Sequence, residues 1–122
     1  MAEIGYGLIG TGFMGRMHSN AYRQANSFFD AELAACAKVV CARDAGRARQ
    51  FADRWGWQET ETDWRKLLDR KDVDLIDICV PNKFHKEIAC AAAKAGKMVL
   101  CEKPIAMDAK EGLEMTKAVE KA

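Results

Sequence analysis

The chain has 122 residues, 49% of them apolar and 30% charged, with a formal net charge of +1. That balance is one of an ordinary globular domain, large enough to bury a core without disulfide or metal staples. It excludes a strongly basic nucleic-acid binder or membrane-surface protein, and no apolar run approaches the ~20 residues that span a bilayer.

The first residues, Met1-Ala2-Glu3-Ile4, place no basic segment before an apolar run, so no secretory leader is read there and a cytoplasmic location is expected. Cys36, Cys41, Cys79, Cys90 and Cys101 include no Cys-x-x-Cys pair, and each sits in an apolar or Ala-rich segment. They are expected to be small buried hydrophobes in a reducing compartment. Only two histidines are present, and no metal site is expected.

In chain order, Ile4 to Ile9 predicts a strand that runs into Gly10-Thr11-Gly12-Phe13-Met14-Gly15. A helix follows over Phe13 to Ala25, with Met14, Met17, Ala21 and Ala25 on one face. Leu33 to Ala42 predicts the second strand, and Asp44 is placed to cap the next helix. There Ala48, Phe51, Ala52 and Trp55 keep helical spacing, and Gly56 ends the run. Asp63 caps a short helix with Trp64, Leu67 and Leu68.

The third strand is read over Val73 to Val80, stopped by Pro81. Asn82 then caps a helix through Ala95, closed by Gly96. Met98 to Cys101 makes the fourth strand. Asp108 and Glu111 form a capping-box start for a last helix, with Ala109, Gly112, Leu113 and Thr116 on one side. The order β-α-β-α-(α)-β-α-β-α predicts a Rossmann-type, doubly wound parallel sheet in three αβα layers, with ligands bound past the carboxyl ends of the strands.

Those strand ends carry the chemistry. Gly10, Gly12 and Gly15 stand where a dinucleotide site needs a tight turn, close approach of a pyrophosphate and close helix–strand packing. After the second strand, Ala42 occupies the expected ribose-binding acid position, and Arg43 and Arg47 follow. A small residue followed by arginine leans toward the 2′-phosphate of NADP. The alternative makes Asp44 the ribose acceptor of NAD, and a further one makes Asp44 only a cap. Pro81 and Asn82 leave the third strand, with His85 one turn on as a structural hydrogen-bonding residue first and an acid–base group second. Cys101-Glu102-Lys103-Pro104 leaves the fourth. A lysine before proline is conformationally restricted and admits a cis bond, and beside a cofactor it suits proton exchange with a substrate hydroxyl.

Three segments together resemble the Gfo/Idh/MocA oxidoreductases: Gly7–His18, Asp74–His85 and Gly96–Ala106, the last containing Glu-Lys-Pro. The resemblance implies hydride transfer between NAD or NADP and a sugar-like or polyol carbon. Lys103 matches the family lysine that contacts the substrate hydroxyl. Gly10, Gly12 and Gly15 match the phosphate turn, and Phe13 and Met14 the residues whose backbone meets the pyrophosphate. Pro81, Asn82, His85 and Glu102 match positions around the nicotinamide and its ribose. It further implies a second, α+β domain holding the substrate pocket and a dimer contact, which these 122 residues are expected to lack. A stand-alone, non-catalytic nucleotide-binding module is the alternative from another functional class. An unrelated doubly wound domain such as a methyltransferase is a third, and it gives Glu102-Lys103-Pro104 no purpose.

Overall fold

A computed structural model describes residues 2–122. It contains a five-stranded sheet, every strand pair parallel, in the order β3-β2-β1-β4-β5. The strands are β1 (Ala2–Ile9), β2 (Leu33–Cys41), β3 (Glu59–Glu61), β4 (Leu75–Ile78) and β5 (Met98–Cys101), with helices α1 (Phe13–Phe28), α2 (Ala45–Trp55), α3 (His85–Lys94) and α4 (Ala109–Lys121) between or after them. Short 3-10 turns run over Trp64–Asp69 and Asn82–Phe84. This is the doubly wound order, whose switch point lies between β1 and β4.

Alternation along the strands divides the core in two. Leu8, Val40, Phe51, Ala52 and Trp57 pack on the face of α1 and α2. Ile9, Val39, Ile76, Ile78, Ile88 and Met115 pack with others on the face of α3 and α4. A wholly buried side chain such as Ile76 or Ile78 contributes about 1.5–3 kcal/mol.

The predicted caps form. Asp44 Oδ1 accepts from Arg47 N at 2.7 Å, Asp63 Oδ1 from Arg65 N at 3.1 Å, and Asp108 Oδ1 from Glu111 N at 2.8 Å. Glu111 Oε2 reaches back to accept from Met107 N, one residue before the cap, so the arrangement resembles a capping box without bonding the Asp108 amide itself. Gly56 and Gly96 end their helices at φ +81° and +80°.

Several expectations are corrected. β3 has no counterpart in the sequence reading, because two of its three residues are exposed or half-buried glutamates without an apolar pattern. α1 turns a different face inward: Gly15 and Ser19 are buried, whereas Met14 and Met17 are 37% and 38% exposed. Ser19 sits inside because its hydroxyl donates to Gly15 O and accepts from Trp57 Nε1. On α4 it is Met115 that is buried, and Leu113 lies 55% exposed. β4 is shorter than the run Val73–Val80, although Asp74 N still donates to Gly5 O and Cys79 N to Ile9 O beyond its ends. Asn82 makes no side-chain cap; a 3-10 turn that starts after Pro81 leads into α3 instead.

Candidate functional site

A cleft of about 620 Å³ opens at the carboxyl ends of β1, β2 and β4. Gly10, Thr11 and Gly12 form its floor, Arg43, Asp44 and Arg47 one wall, and Pro81 and Phe84 the other. Trp64 and Arg65 contribute from the 3-10 turn.

Each glycine of the turn is required for its own reason. Gly10 has φ +110°, and a Cβ there would stand 2.4 Å from Cys79 O. A Cβ on Gly15 would stand 2.5 Å from Gly10 O, so the start of α1 can lie this close to the turn only without a side chain. At Gly12 a Cβ would meet nothing within 4 Å. Protein packing therefore does not demand glycine there, and the space beside it is open. Gly12 is also the N-cap of α1, offers no side-chain cap, and the first turn carries no acid. The unpaired N–H groups and positive dipole end of α1 fit an anionic ligand such as a pyrophosphate. Phe13 and Met14 form the first helical residues beside it.

Arg43 reaches across the cleft mouth, its guanidinium 5.5 Å from the centroid of Phe84. Neither Arg43 nor Arg47 forms an ion pair among the described residues. Asp44 commits one carboxylate oxygen to its helix cap.

Beyond β5, Glu102 is half-buried and Lys103 exposed, and the Lys103–Pro104 peptide bond is cis. The two histidines hold this segment. His85 takes the structural hydrogen-bonding place read first for it: it is wholly buried, with Nδ1 3.0 Å from Pro104 O and Nε2 2.8 Å from Val80 O, and both ring nitrogens face backbone carbonyls.

His18 was not singled out in the sequence beyond its place in the Gly7–His18 segment. Its Nδ1 lies 2.8 Å from Asp77 Oδ2, and its Nε2 lies 3.0 Å from Glu102 Oε2. Asp77 is wholly buried beneath the cleft and also accepts from the Tyr22 hydroxyl and the Cys79 thiol. Burial first, and then the Asp77 charge, pushes both the Tyr22 hydroxyl and the Cys79 thiol well above their ordinary values. Both therefore remain protonated donors to Asp77. In the sequence this cluster showed only as an aspartate within an apolar run and as His18 and Glu102 in the resembling segments, and Asp77's partner on α1 is 59 residues away.

Residues 4–122 match the model of the Gfo/Idh/MocA group, described as an oxidoreductase family with an NAD-binding Rossmann fold. Levoglucosan dehydrogenase of Pseudarthrobacter phenanthrenivorans is 42% identical over 120 residues, which is 98% of this chain and 31% of that protein. A crystal structure of an oxidoreductase domain protein from Kribbella flavida has a TM-score of 0.96 at 51% identity, covering 99% of this chain and 32% of that one. A levoglucosan dehydrogenase solved in complex with NADH and L-sorbose has a TM-score of 0.95 at 41% identity, covering 98% and 32%. The chain thus spans about a third of the length of the relatives it matches. With its glycine turn, its sheet order and its match over residues 4–122, the chain belongs to the Gfo/Idh/MocA oxidoreductase family and forms that family's NAD-binding Rossmann fold.

Proposed function

We propose that this chain is the dinucleotide-binding part of an oxidoreductase that moves hydride between a nicotinamide dinucleotide and a sugar-like or polyol carbon. A substrate wall supplied from outside these residues completes the enzyme. The observation that carries the reading is the open space at Gly12, in front of an uncapped helix N-terminus and over a cleft at the sheet's switch point. The levoglucosan dehydrogenase complex, with NADH and a sugar bound to a chain of the same fold, supports it.

The bound nicotinamide supplies the hydride acceptor or donor. The chain's own residues do the rest. The α1 N-terminus and the Gly10–Gly12 backbone hold the pyrophosphate, while Phe13 and Met14 present their amides to it and Gly15 lets the helix approach. Pro81 and Asn82 border the nicotinamide end, and Glu102 anchors the segment after β5. Lys103 acts at Nζ, taking the proton that a substrate hydroxyl loses as its carbon gives up hydride, or returning it in the reverse direction. Arg43 and Arg47, unpaired and facing the cleft, favour the 2′-phosphate of NADP. Asp44 and the NADH-bound relative favour NAD as the second reading. All five cysteines are free, which supports a reducing, cytoplasmic setting.

Titration with NADPH and NADH, followed by the fluorescence of Trp64 in the cleft wall, tests the site. Binding of either supports the reading, and tighter NADPH that reverts on Arg43→Ala supports the phosphate assignment. No binding at millimolar concentration overturns the site. In the intact protein, Lys103→Ala is expected to depress turnover far more than dinucleotide affinity, and unchanged turnover removes Lys103 from the chemistry.

A further inference from the structure

We propose that His18 is a positioning residue: it joins the buried carboxylate of Asp77 to Glu102 and so sets the backbone on which Lys103 is carried. The inference rests on the reading of Lys103 given above. Glu102 is held at both oxygens. Oε2 faces His18 Nε2 at 3.0 Å, and Oε1 accepts from the Lys103 amide at 3.2 Å. His18 is in turn fixed at Nδ1 by Asp77, which is wholly buried and also braced by Tyr22 and Cys79. A rigid chain of contacts therefore runs from the interior, through one ring of α1, to the peptide N–H of Lys103.

Each ring nitrogen of His18 faces one carboxylate, Nδ1 that of Asp77 and Nε2 that of Glu102, so the two contacts can be separated by substitution. His18 is one-fifth exposed, near the cleft rather than deep in the core, where a buried aspartate alone could have been satisfied by Tyr22 and Cys79. Its second contact, to Glu102, lies outside the buried cluster around Asp77. What that contact does is orient the residue next to Lys103.

Two substitutions separate the two contacts. The amide nitrogen of asparagine falls near the Nδ1 position, so His18→Asn retains the bond to Asp77 and drops Glu102. The amide of glutamine falls near Nε2, so His18→Gln retains Glu102 and drops Asp77. In the intact protein, His18→Asn is expected to lower kcat by about tenfold or more while the dinucleotide KM stays within about twofold. His18→Gln keeps the contact to Glu102 but loses its anchor, and is expected to lower kcat less than His18→Asn does while unfolding at a lower temperature than His18→Asn.

The opposite ranking, with glutamine inactive and asparagine active, would show that His18 merely satisfies Asp77 and overturns the proposal. Two fully active variants overturn it as well. If both lose turnover, the amide resonance of Lys103 decides: displacement in His18→Asn and not in His18→Gln supports the proposal, and an unmoved signal in His18→Asn ends it. That resonance reports on the His18–Glu102 contact even if Lys103→Ala proves fully active, so failure of this inference and failure of the Lys103 assignment remain distinguishable.

Discussion

The carbonyl oxygen of Gly10 occupies the place where a side chain on Gly15 would begin, 2.5 Å from an ideal Cβ. Three residues from Gly15 along the same turn, Gly12 has no neighbour within 4 Å of its own Cβ position. The same motif thus contains one glycine required by the fold and one required only by what enters the cleft. Gly15→Ala is expected to destabilise the protein by about 1–3 kcal/mol, because the obstacle is backbone and cannot rotate away. Urea unfolding measures it, and an unchanged midpoint would contradict the packing described here.

Gly12→Ala should cost no more than about 1 kcal/mol, the cost of alanine at a helix N-cap, since no protein atom obstructs the methyl group. Its effect is expected in dinucleotide titration, where affinity should fall by about tenfold or more as the methyl group enters the pyrophosphate's approach. An alanine variant that binds as tightly as the parent would place the phosphates elsewhere.

His85 braces two carbonyls from inside the core. His85→Ala leaves Val80 O and Pro104 O without this partner and opens a void, a combined cost of about 2–4 kcal/mol in denaturant unfolding. A loss below about 1 kcal/mol would show that water or neighbouring groups replace the ring.

Burial first, and then the Glu61 and Asp63 carboxylates, pushes the Cys41 thiol up to about 12. The folded protein therefore retains a proton that the unfolded chain releases near 9. Its contribution to stability is fully present below that lower value and is lost as pH rises from there toward the folded value. Cys101, raised to about 11, and Cys79 act in the same sense. Urea midpoints measured from neutral to strongly alkaline pH should decline above pH 9, and less steeply in Cys41→Ala. Equal slopes would remove Cys41 from the effect.

Asp108 caps α4 by accepting from Glu111 N, and the Glu111 carboxylate reaches back to Met107 N. Asp108→Ala should cost about 1 kcal/mol, read as a lower thermal midpoint, and Asp108→Ser should recover most of it.

What could be read from the sequence follows from how local each signal is. β5 matches its predicted range because Met98–Cys101 is bounded by Gly96 and by Lys103-Pro104, both backbone signals. The caps at Asp44, Asp63 and Asp108 are equally local. The inward face of α1 was misjudged because methionine is apolar and serine is not; close packing at Gly15 and a hydroxyl bridge between Gly15 and Trp57 reversed that preference. β3 depends on pairing with Val39–Cys41 rather than on its own composition. The glycine turn and Glu-Lys-Pro were visible as motifs, whereas the ring connecting Asp77 to Glu102 exists only once α1 lies over β4 and β5.

Central placement of β1 has a consequence for how the protein is made. Its two partners come from opposite stretches of the chain, Leu33–Cys41 on one side and Leu75–Ile78 on the other. The first crossover carries the glycine turn and the arginine wall, and all of it precedes the opposite wall in the chain. Pro81, Phe84 and the lysine segment join only when β4 closes along β1, at a separation where non-local contacts are slow to form. In order of synthesis the glycine turn and the arginine wall therefore precede the wall that faces them, and the cleft has both sides only once Phe84 has been made.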